Sequence, residues 1–174
     1  MADSSLYELA ERVGLALKGR SLMLTTAESC TGGWVAEAVT MVPGSSEWFE
    51  RGFITYTYIS KREMLGVSAK TLELQGAVSE RCVREMAEGA LNASHAQVAV
   101  AVSGTAGPGG GTPQKPVGTV CFAWGVKEGT VWTEVRHIAG DREAVRRQAV
   151  INALEGVLAI VEALPLSVAD ADRA

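Results

Sequence analysis

The sequence predicts an α/β fold, a three-layer α/β/α sandwich around a mixed, mostly parallel sheet. Short apolar stretches alternate with longer amphipathic ones along most of the chain, which is typical of βαβ units. The run Gln97 to Val102 (QVAVAV) lacks polar alternation and so predicts a strand buried on both faces. Near the C-terminus, Val117 to Val126 and Thr130 to His137 flank a Lys-Glu-Gly turn, which predicts a hairpin and makes the sheet mixed.

The remaining elements follow from periodicity and from capping residues. Two further strands are predicted, at Ser21 to Thr26 and at Phe53 to Tyr58, where short apolar or aromatic and β-branched runs occur. Five helices are predicted from apolar residues that recur every three or four positions and from caps such as Ser79 and Asp141. Their ranges are Ser4 to Lys18, Thr31 to Met41, Lys61 to Gly66, Ser79 to Leu91, and from Gly140-Asp141 to about Ala163.

Length and composition indicate one globular domain over residues 1–165, followed by a flexible tail at 166–174. The chain has 174 residues, of which 47% are hydrophobic and 21% charged, so disorder is not expected. The net charge of −4 argues against a nucleic-acid partner, which favours a basic excess. Three separate cysteines, no signal-peptide pattern and no run of 18 apolar residues predict a cytoplasmic protein without a membrane partner.

The segment Thr26 to Gly33 (TAESCTGG) is the first of three with a composition that a core does not need. It lies where a strand passes into a helix, and amide N–H groups at a helix start are free to bind negative charge. A hydroxyl at Ser29 is therefore a candidate nucleophile. Two alternatives stay open: Ser29 or Thr31 only caps the helix, or Cys30 is the nucleophile.

The second segment, Gly52 to Lys61, leads a strand into a loop that carries two tyrosines and a lysine. Lys61 can act as a general base only if its pKa falls through desolvation or a neighbouring cation. A tyrosine beside it can relay a proton or orient the amine. The alternative is a half-exposed strand with a surface lysine.

The third segment is the glycine-rich stretch Ser103 to Gly118, which lets backbone amides approach an anion closely. It fits neither the Walker A nor the G-x-G-x-x-G spacing, so it indicates an anion or nucleotide site without specifying one. Arg142 and Arg146, at the start of the last helix, can add cationic donors for a phosphate or carboxylate. A mobile surface loop and a solvated helix start are the alternatives.

Several standard chemistries lack their residue patterns. His95 and His137 have no zinc-ligand spacing, and neither a G-x-S-x-G nor an S-x-x-K motif occurs. We therefore expect no metal and no cofactor. A Ser-His pair through His137 stays open.

Taken in order, the unusual segments resemble the CinA C-terminal family, and the match extends from about Leu6 to Leu158. The motifs that carry this resemblance are Ala27 to Gly33, Pro43 to Ser46, Gly52 to Lys61, Leu65 to Val67, Gly76 to Ser79, Ser103 to Gly111, Lys115 to Thr119 and Gly140 to Arg142. The chain length is similar to that of the family's stand-alone nicotinamide mononucleotide (NMN) deamidases. Longer members carry an extra N-terminal domain.

The resemblance implies a metal-free amidohydrolase that converts NMN and water to nicotinate mononucleotide and ammonia in the pyridine nucleotide cycle, and that forms a homodimer or higher homo-oligomer. It implies Ser29 as nucleophile, Lys61 as base and Tyr56 as the proton-relay partner of Lys61. Combined with the segments above, it predicts substrate-binding groups at Thr31, Gly32, Gly33, Ser103, Gly104, Thr105, Gly107, Gly109, Gly110 and Arg142.

Two positions depart from the family pattern and motivate other hypotheses. The family reads Tyr-Ser-Asn where this chain has Tyr56-Thr57-Tyr58, and Ile where it has Thr105. The phenol of Tyr58 near the site favours, as an alternative, a catalytically silent nucleotide-binding regulator. A hydrolase of phosphate esters or pyrophosphates is a third hypothesis, and the lack of a metal-ligating carboxylate cluster argues against it.

Overall fold

The computed structural model describes residues 3–165, so the predicted flexible tail at 166–174 lies outside the described residues. The helices are α1 (Ser4–Lys18), α2 (Trp34–Thr40), α3 (Tyr58–Leu65), α4 (Ala69–Gln75), α5 (Glu80–Asn92) and α6 (Arg142–Ala163). The strands are β1 (Leu24–Glu28), β2 (Phe49–Ile54), β3 (Val98–Gly104), β4 (Thr119–Val126) and β5 (Val131–His137). A single 3₁₀ turn, Ser45–Glu47, precedes β2.

The five strands form one mixed sheet in the order β2-β1-β3-β4-β5. β1 is parallel to both of its neighbours, β2 and β3, whereas β4 is antiparallel to both β3 and β5. The chain therefore passes from β1 to β2 on one side of it and later returns on the other side of β1 as β3. The carboxyl ends of β1, β2 and β3 meet at one edge of the sheet.

Helices cover both faces of the sheet, which confirms the predicted three-layer α/β/α architecture. Side chains alternate along β3, so Val98, Val100 and Val102 face α1, α2 and α6. Ala99 and Ala101 face the other layer, built from α3, α4 and α5. The small alanines let α5 approach the sheet closely. All of β3 up to Ser103 is buried, as its uninterrupted apolar run predicted.

The structure corrects several predicted boundaries around the turns. The predicted strand Phe53 to Tyr58 ends at Ile54, because Thr57 caps α3: its side chain accepts from the Ser60 amide, and the Ser60 hydroxyl accepts from the Thr57 amide. The predicted helix at Thr31 begins only at Trp34, because Gly32 and Gly33 have φ of 62° and 101°. β1 lies at Leu24–Glu28, not Ser21 to Thr26, and α4 was not predicted.

Gly156 on α6 packs against Trp124 of β4 and leaves no room for a side chain. A Cβ at Gly156 would lie 2.0 Å from Cε2 of Trp124, whose indole N–H donates to the Ala153 carbonyl. Gly156→Ala is expected to lower the free energy of unfolding by about 2–3 kcal/mol, because the buried indole has no room to move. Urea unfolding measures this. Gly109→Ala, where nothing lies within 4 Å of the added methyl, is the control. Equal midpoints for both variants would contradict this packing.

Candidate active site

The candidate site lies at the carboxyl edge of the parallel strands. Ser29 directly follows β1, Thr55 directly follows β2, and Ser103 with Gly104 ends β3. In open α/β sheets, ligands bind outside the carboxyl ends of strands where the strand order reverses. The first two predicted segments, Thr26 to Gly33 and Gly52 to Lys61, therefore meet at this edge together with the start of the third.

The segment Ser29–Gly33, here called the nucleophile turn, holds Ser29 against the end of β3. The Ser29 amide donates to the Val102 carbonyl at 2.9 Å, and the Gly32 amide donates back to the Ser29 carbonyl at 3.1 Å. Both glycines of the turn have positive φ, which explains the Gly-Gly pair in the sequence. Ser29 is 8% exposed as a whole residue, and its contact with Lys61 is buried.

Lys61 on α3 reaches into this buried space. Its Nζ lies 2.9 Å from Ser29 Oγ and 2.6 Å from the Thr55 carbonyl oxygen, and the residue as a whole is 1% exposed. Burial lowers the pKa of Lys61, because desolvation disfavours the ammonium form. A neutral amine keeps an N–H for the Thr55 carbonyl and turns its lone pair toward the Ser29 hydroxyl. This geometry suits a serine activated by a lysine base.

The lowered pKa of Lys61 predicts a pH dependence of stability. Between that lowered value and the ordinary value of 10.5, the unfolded chain holds a proton that the folded protein does not. Folding stability from this group therefore rises with pH across the window and is lost as pH falls. Urea unfolding at a series of pH values below 10.5 is expected to give a steeper rise for the wild type than for Lys61→Met. Parallel curves would contradict a desolvated lysine.

Tyr56 lies next to the site but contacts a different group from the one predicted. Its hydroxyl accepts from Arg142 Nη2 at 2.9 Å, and Arg142 Nη1 donates to the Gly107 carbonyl at 2.8 Å. Among the hydrogen bonds within residues 3–165, none joins Tyr56 to Lys61. Arg142 instead ties the loop after β2 to the glycine-rich loop, and the Thr55 carbonyl is the group that orients Lys61.

The glycine-rich loop leaves the sheet at the same edge. Thr105 closes its base: its amide donates to the Thr119 carbonyl, and its carbonyl accepts from the Gly118 amide. Further out, Gly107 and Gly110 have φ of 89° and 87°. Gly109 has open space where a side chain would be. The predicted binding residues Ser103 and Gly104 thus end the strand that holds the nucleophile turn, and Arg142 contacts the loop at Gly107.

Glu28, the last residue of β1, has a role that was not predicted from sequence. Its carboxylate is fully buried and accepts four hydrogen bonds of 2.6–3.0 Å, from the Thr31 hydroxyl and the amides of Gly33, Val35 and Ala36. The expectation of free amides at the helix start is therefore wrong for α2, because this carboxylate already occupies them. The sequence does carry a signal for this role: an acidic residue at the end of a buried strand, three positions before a threonine.

Two amides of the nucleophile turn stay available. Of the three groups predicted in this turn, Thr31, Gly32 and Gly33, two have amides engaged within the protein: Gly33 donates to Glu28 and Gly32 to the Ser29 carbonyl. Within the described residues, the amides of Cys30 and Thr31 have no hydrogen-bond partner. These two N–H groups directly follow the candidate nucleophile.

Arg146, predicted as an anion donor, binds backbone carbonyls of the nucleophile turn. Its Nε donates to the Cys30 carbonyl at 3.0 Å and its Nη2 to the Thr31 carbonyl at 2.9 Å. The guanidinium also lies over the Trp34 ring, 5.3 Å from its centroid. Arg146 therefore braces the turn from α6.

The open alternatives for the nucleophile and base gain no support from the geometry. Cys30 is buried, and desolvation raises the pKa of its thiol to about 12, so a reactive thiolate is disfavoured. His137 ends β5, with β4 and β3 between it and β1. Its ring Nδ1 lies 3.3 Å from Thr119 Oγ1.

Across residues 3–165, no group of three or more His, Cys, Asp and Glu side chains has an arrangement that could hold a metal ion. No helix in that range is both long enough and apolar enough for a membrane span.

Comparison with known proteins identifies the family. The model of the CinA C-terminal domain matches residues 6–161. The nicotinamide-nucleotide amidohydrolase PncC of Escherichia coli (strain K12) is 56% identical over 155 residues, covering 89% of this chain and 94% of the relative. PncC of Pseudomonas putida is 56% identical over 151 residues, covering 86% and 93%. The crystal structure of the competence/damage inducible protein CihA from Agrobacterium tumefaciens superposes with a TM-score of 0.86 at 46% identity, covering 89% and 94%. The chain belongs to the CinA C-terminal domain family.

Proposed function

We propose that the protein is a nicotinamide-nucleotide amidohydrolase, a hydrolase of a linear amide that converts NMN and water to nicotinate mononucleotide and ammonia. The observation that carries this proposal is the buried 2.9 Å contact between Ser29 Oγ and Lys61 Nζ. Two relatives that are each 56% identical are themselves named nicotinamide-nucleotide amidohydrolase. A serine–lysine pair can cleave an amide without a metal ion or a cofactor.

The first half of the reaction forms an acyl-enzyme. Neutral Lys61 takes the proton of the Ser29 hydroxyl, and Ser29 Oγ bonds to the carboxamide carbon. The carbonyl oxygen becomes an oxyanion, for which the free amides of Cys30 and Thr31 are the donors. Loss of one such donor typically costs about 3 kcal/mol, or 100-fold or more in rate. The C–N bond then breaks, and Lys61 returns its proton to the leaving nitrogen, which departs as ammonia.

The second half hydrolyses the ester that joins Ser29 to the nicotinoyl group. Lys61, neutral again, takes a proton from water, and the hydroxide bonds to the carbonyl carbon. The ester C–O bond breaks, the proton passes to Ser29 Oγ, and nicotinate mononucleotide leaves. The Thr55 carbonyl keeps the amine aligned in both halves. Tyr56, joined to Arg142, is a positioning group for the substrate in this scheme, and its relay role stays a prediction.

The nucleotide phosphate is expected to bind at the glycine-rich loop and Arg142. The guanidinium of Arg142 is exposed and its two described bonds go to neutral oxygens, so its charge is uncompensated by those bonds. Binding energy from this remote group positions the carboxamide at Ser29. Nicotinamide riboside, which lacks the phosphate, is therefore expected to have a kcat/KM lower than that of NMN by about 100-fold or more. Steady-state ammonia release measures this, and equal kcat/KM values would refute a phosphate subsite.

A turnover assay on purified protein, without added metal, tests the function. Ammonia and nicotinate mononucleotide are expected in equal amounts from NMN, with and without a chelator. Tight NMN binding without turnover would instead favour a silent regulator. Release of inorganic phosphate, or activity abolished by the chelator, would favour a phosphate-ester hydrolase. Tyr58, the departure that motivates the silent regulator, is half-exposed at the start of α3.

We also propose a cytoplasmic location and a homodimer or higher homo-oligomer. The three cysteines are free and buried, which suits a reducing compartment. Apolar side chains along β2 and α3 are exposed, among them Ile54 and Ile59, and can pack against a second copy. NMN is the small-molecule partner.

A further inference from the structure

Two oppositely charged side chains hold the nucleophile turn (Ser29–Gly33) from different elements. Arg146 on α6 donates to the carbonyls of Cys30 and Thr31. Glu28 at the end of β1 accepts from the Thr31 hydroxyl and from the Gly33 amide at the turn's far end. No salt bridge joins either of them to another described residue. Both charged groups are thus committed to this one segment and to the start of α2.

Arg146 fixes the orientation of two peptide planes. In a trans peptide the N–H points opposite to the C=O of the same unit. Because the Cys30 carbonyl faces the guanidinium, the Thr31 N–H points away from it. The same rule applied to the Thr31 carbonyl turns the Gly32 N–H away from Arg146, and that amide does bind the Ser29 carbonyl. The Thr31 amide, which has no hydrogen-bond partner within residues 3–165, therefore points away from Arg146 and lies two positions after the nucleophile.

Glu28 holds the Thr31 side chain and the far end of the nucleophile turn. The Thr31 hydroxyl donates to its Oε2 at 2.6 Å, so the Thr31 side chain cannot rotate to supply a competing donor or acceptor. Its bonds to the amides of Gly33, Val35 and Ala36 also remove the first turn of α2 as a rival anion site. Between Ser29 and Ala36, all within the described residues, the amides left without a partner are those of Cys30 and Thr31.

We propose that Arg146 and Glu28 are positioning residues that orient the Thr31 amide, with the Cys30 amide, as the oxyanion donors of the reaction. The inference rests on the proposed amidohydrolase function and deepens it. Neither side chain touches the reacting atoms. Each acts through the backbone of the nucleophile turn. It therefore stabilises the transition state, in which the carboxamide oxygen gains negative charge, and not the bound substrate. Such a contribution lowers kcat and kcat/KM together and leaves KM unchanged.

The test compares Arg146→Gln and Arg146→Lys with Arg147→Gln. Arg147 is the matched control, since it is the next residue of α6 and pairs with Asp3 at 2.6 Å, away from the nucleophile turn. Arg146→Gln is expected to lower kcat by about 10- to 100-fold with KM for NMN within about 2-fold. Arg146→Lys is expected to recover part of this, because one ammonium can hold only one of the two carbonyls well. Arg147→Gln is expected to retain wild-type kcat.

Glu28→Gln and the double variant Glu28→Gln/Arg146→Gln extend the test. The single change is expected to lower kcat by about 10-fold or more at unchanged KM. In the double variant, kcat is expected to fall by less than the product of the two single fold-losses. Breaking either contact already frees the Cys30–Thr31 peptide, so the second break adds less. In both variants, the affinity for nicotinate mononucleotide, measured by calorimetry, is expected to equal that of the wild type.

The outcomes separate this inference from the function on which it rests. A wild type that releases no ammonia from NMN refutes the function. A wild type that turns over, with Arg146→Gln at wild-type kcat or with its loss confined to KM, overturns the positioning role. If Arg146→Gln does not fold, Arg146→Lys decides: wild-type kcat, or a loss confined to KM, overturns the role.

Discussion

Ser29→Ala is expected to lower ammonia release from NMN by about 10⁴-fold or more. The change removes the only hydroxyl within 2.9 Å of Lys61 Nζ in the described residues, so no acyl-enzyme can form. The fold is expected to survive, because the backbone bonds of Ser29 stay and Lys61 keeps the Thr55 carbonyl. NMN affinity is expected to change little, since the proposed phosphate subsite lies at the glycine-rich loop and Arg142 and not at Ser29.

Ser94→Ala supplies the control for Ser29→Ala. Ser94 is also a buried serine, but it precedes β3 and so lies at the opposite edge of the sheet. It is expected to retain wild-type turnover. Full activity in Ser29→Ala would exclude Ser29 as the nucleophile and reopen the other candidates.

Lys61→Arg is expected to lower kcat for NMN by about 10³-fold or more although the positive charge is kept. An arginine side chain stays protonated in proteins and cannot accept the Ser29 proton. The larger guanidinium must also fit a space where the lysine is 1% exposed. Thermal unfolding should accompany the assay, so that a loss of activity in a folded variant is distinguished from misfolding.

Lys70→Arg, an exposed lysine on the neighbouring helix α4, is the control for that substitution. It is expected to match the wild type in both activity and stability. A folded Lys61→Arg variant that turns over NMN at the wild-type rate would rule out Lys61 as the base.

The elements predicted correctly are those whose sequence carries its own pattern. The stripes of α1 and α6, the caps Ser79 and Asp141, and the apolar run of β3 each depend on neighbours along the chain. The strand predicted at Phe53 to Tyr58 was wrong at its end, because the capping interaction of Thr57 with Ser60 outweighs β-branched and aromatic propensity.

The parts of the site that escaped prediction depend on contacts distant in sequence or on backbone groups. Arg146 binds backbone carbonyls 115 and 116 positions away. Because every residue has such a carbonyl, the residue type at those positions does not predict the contact. Glu28 binds mostly amides, which every residue has. The pairing of Ser29 with Lys61 was implied by the family resemblance, since a lone lysine in a β-rich segment indicates a surface position. The structure places the two side chains in contact, 32 positions apart.

Partitioning of the reaction by hydroxylamine tests the covalent role of Ser29 most directly. An acyl-enzyme on Ser29 reacts with hydroxylamine as well as with water, so the wild type is expected to form the hydroxamate of the nucleotide at the expense of nicotinate mononucleotide. Ser29→Ala is expected to form neither product. A wild type that converts NMN at an undiminished rate to nicotinate mononucleotide alone, at hydroxylamine concentrations that capture other serine acyl-enzymes, would contradict the account.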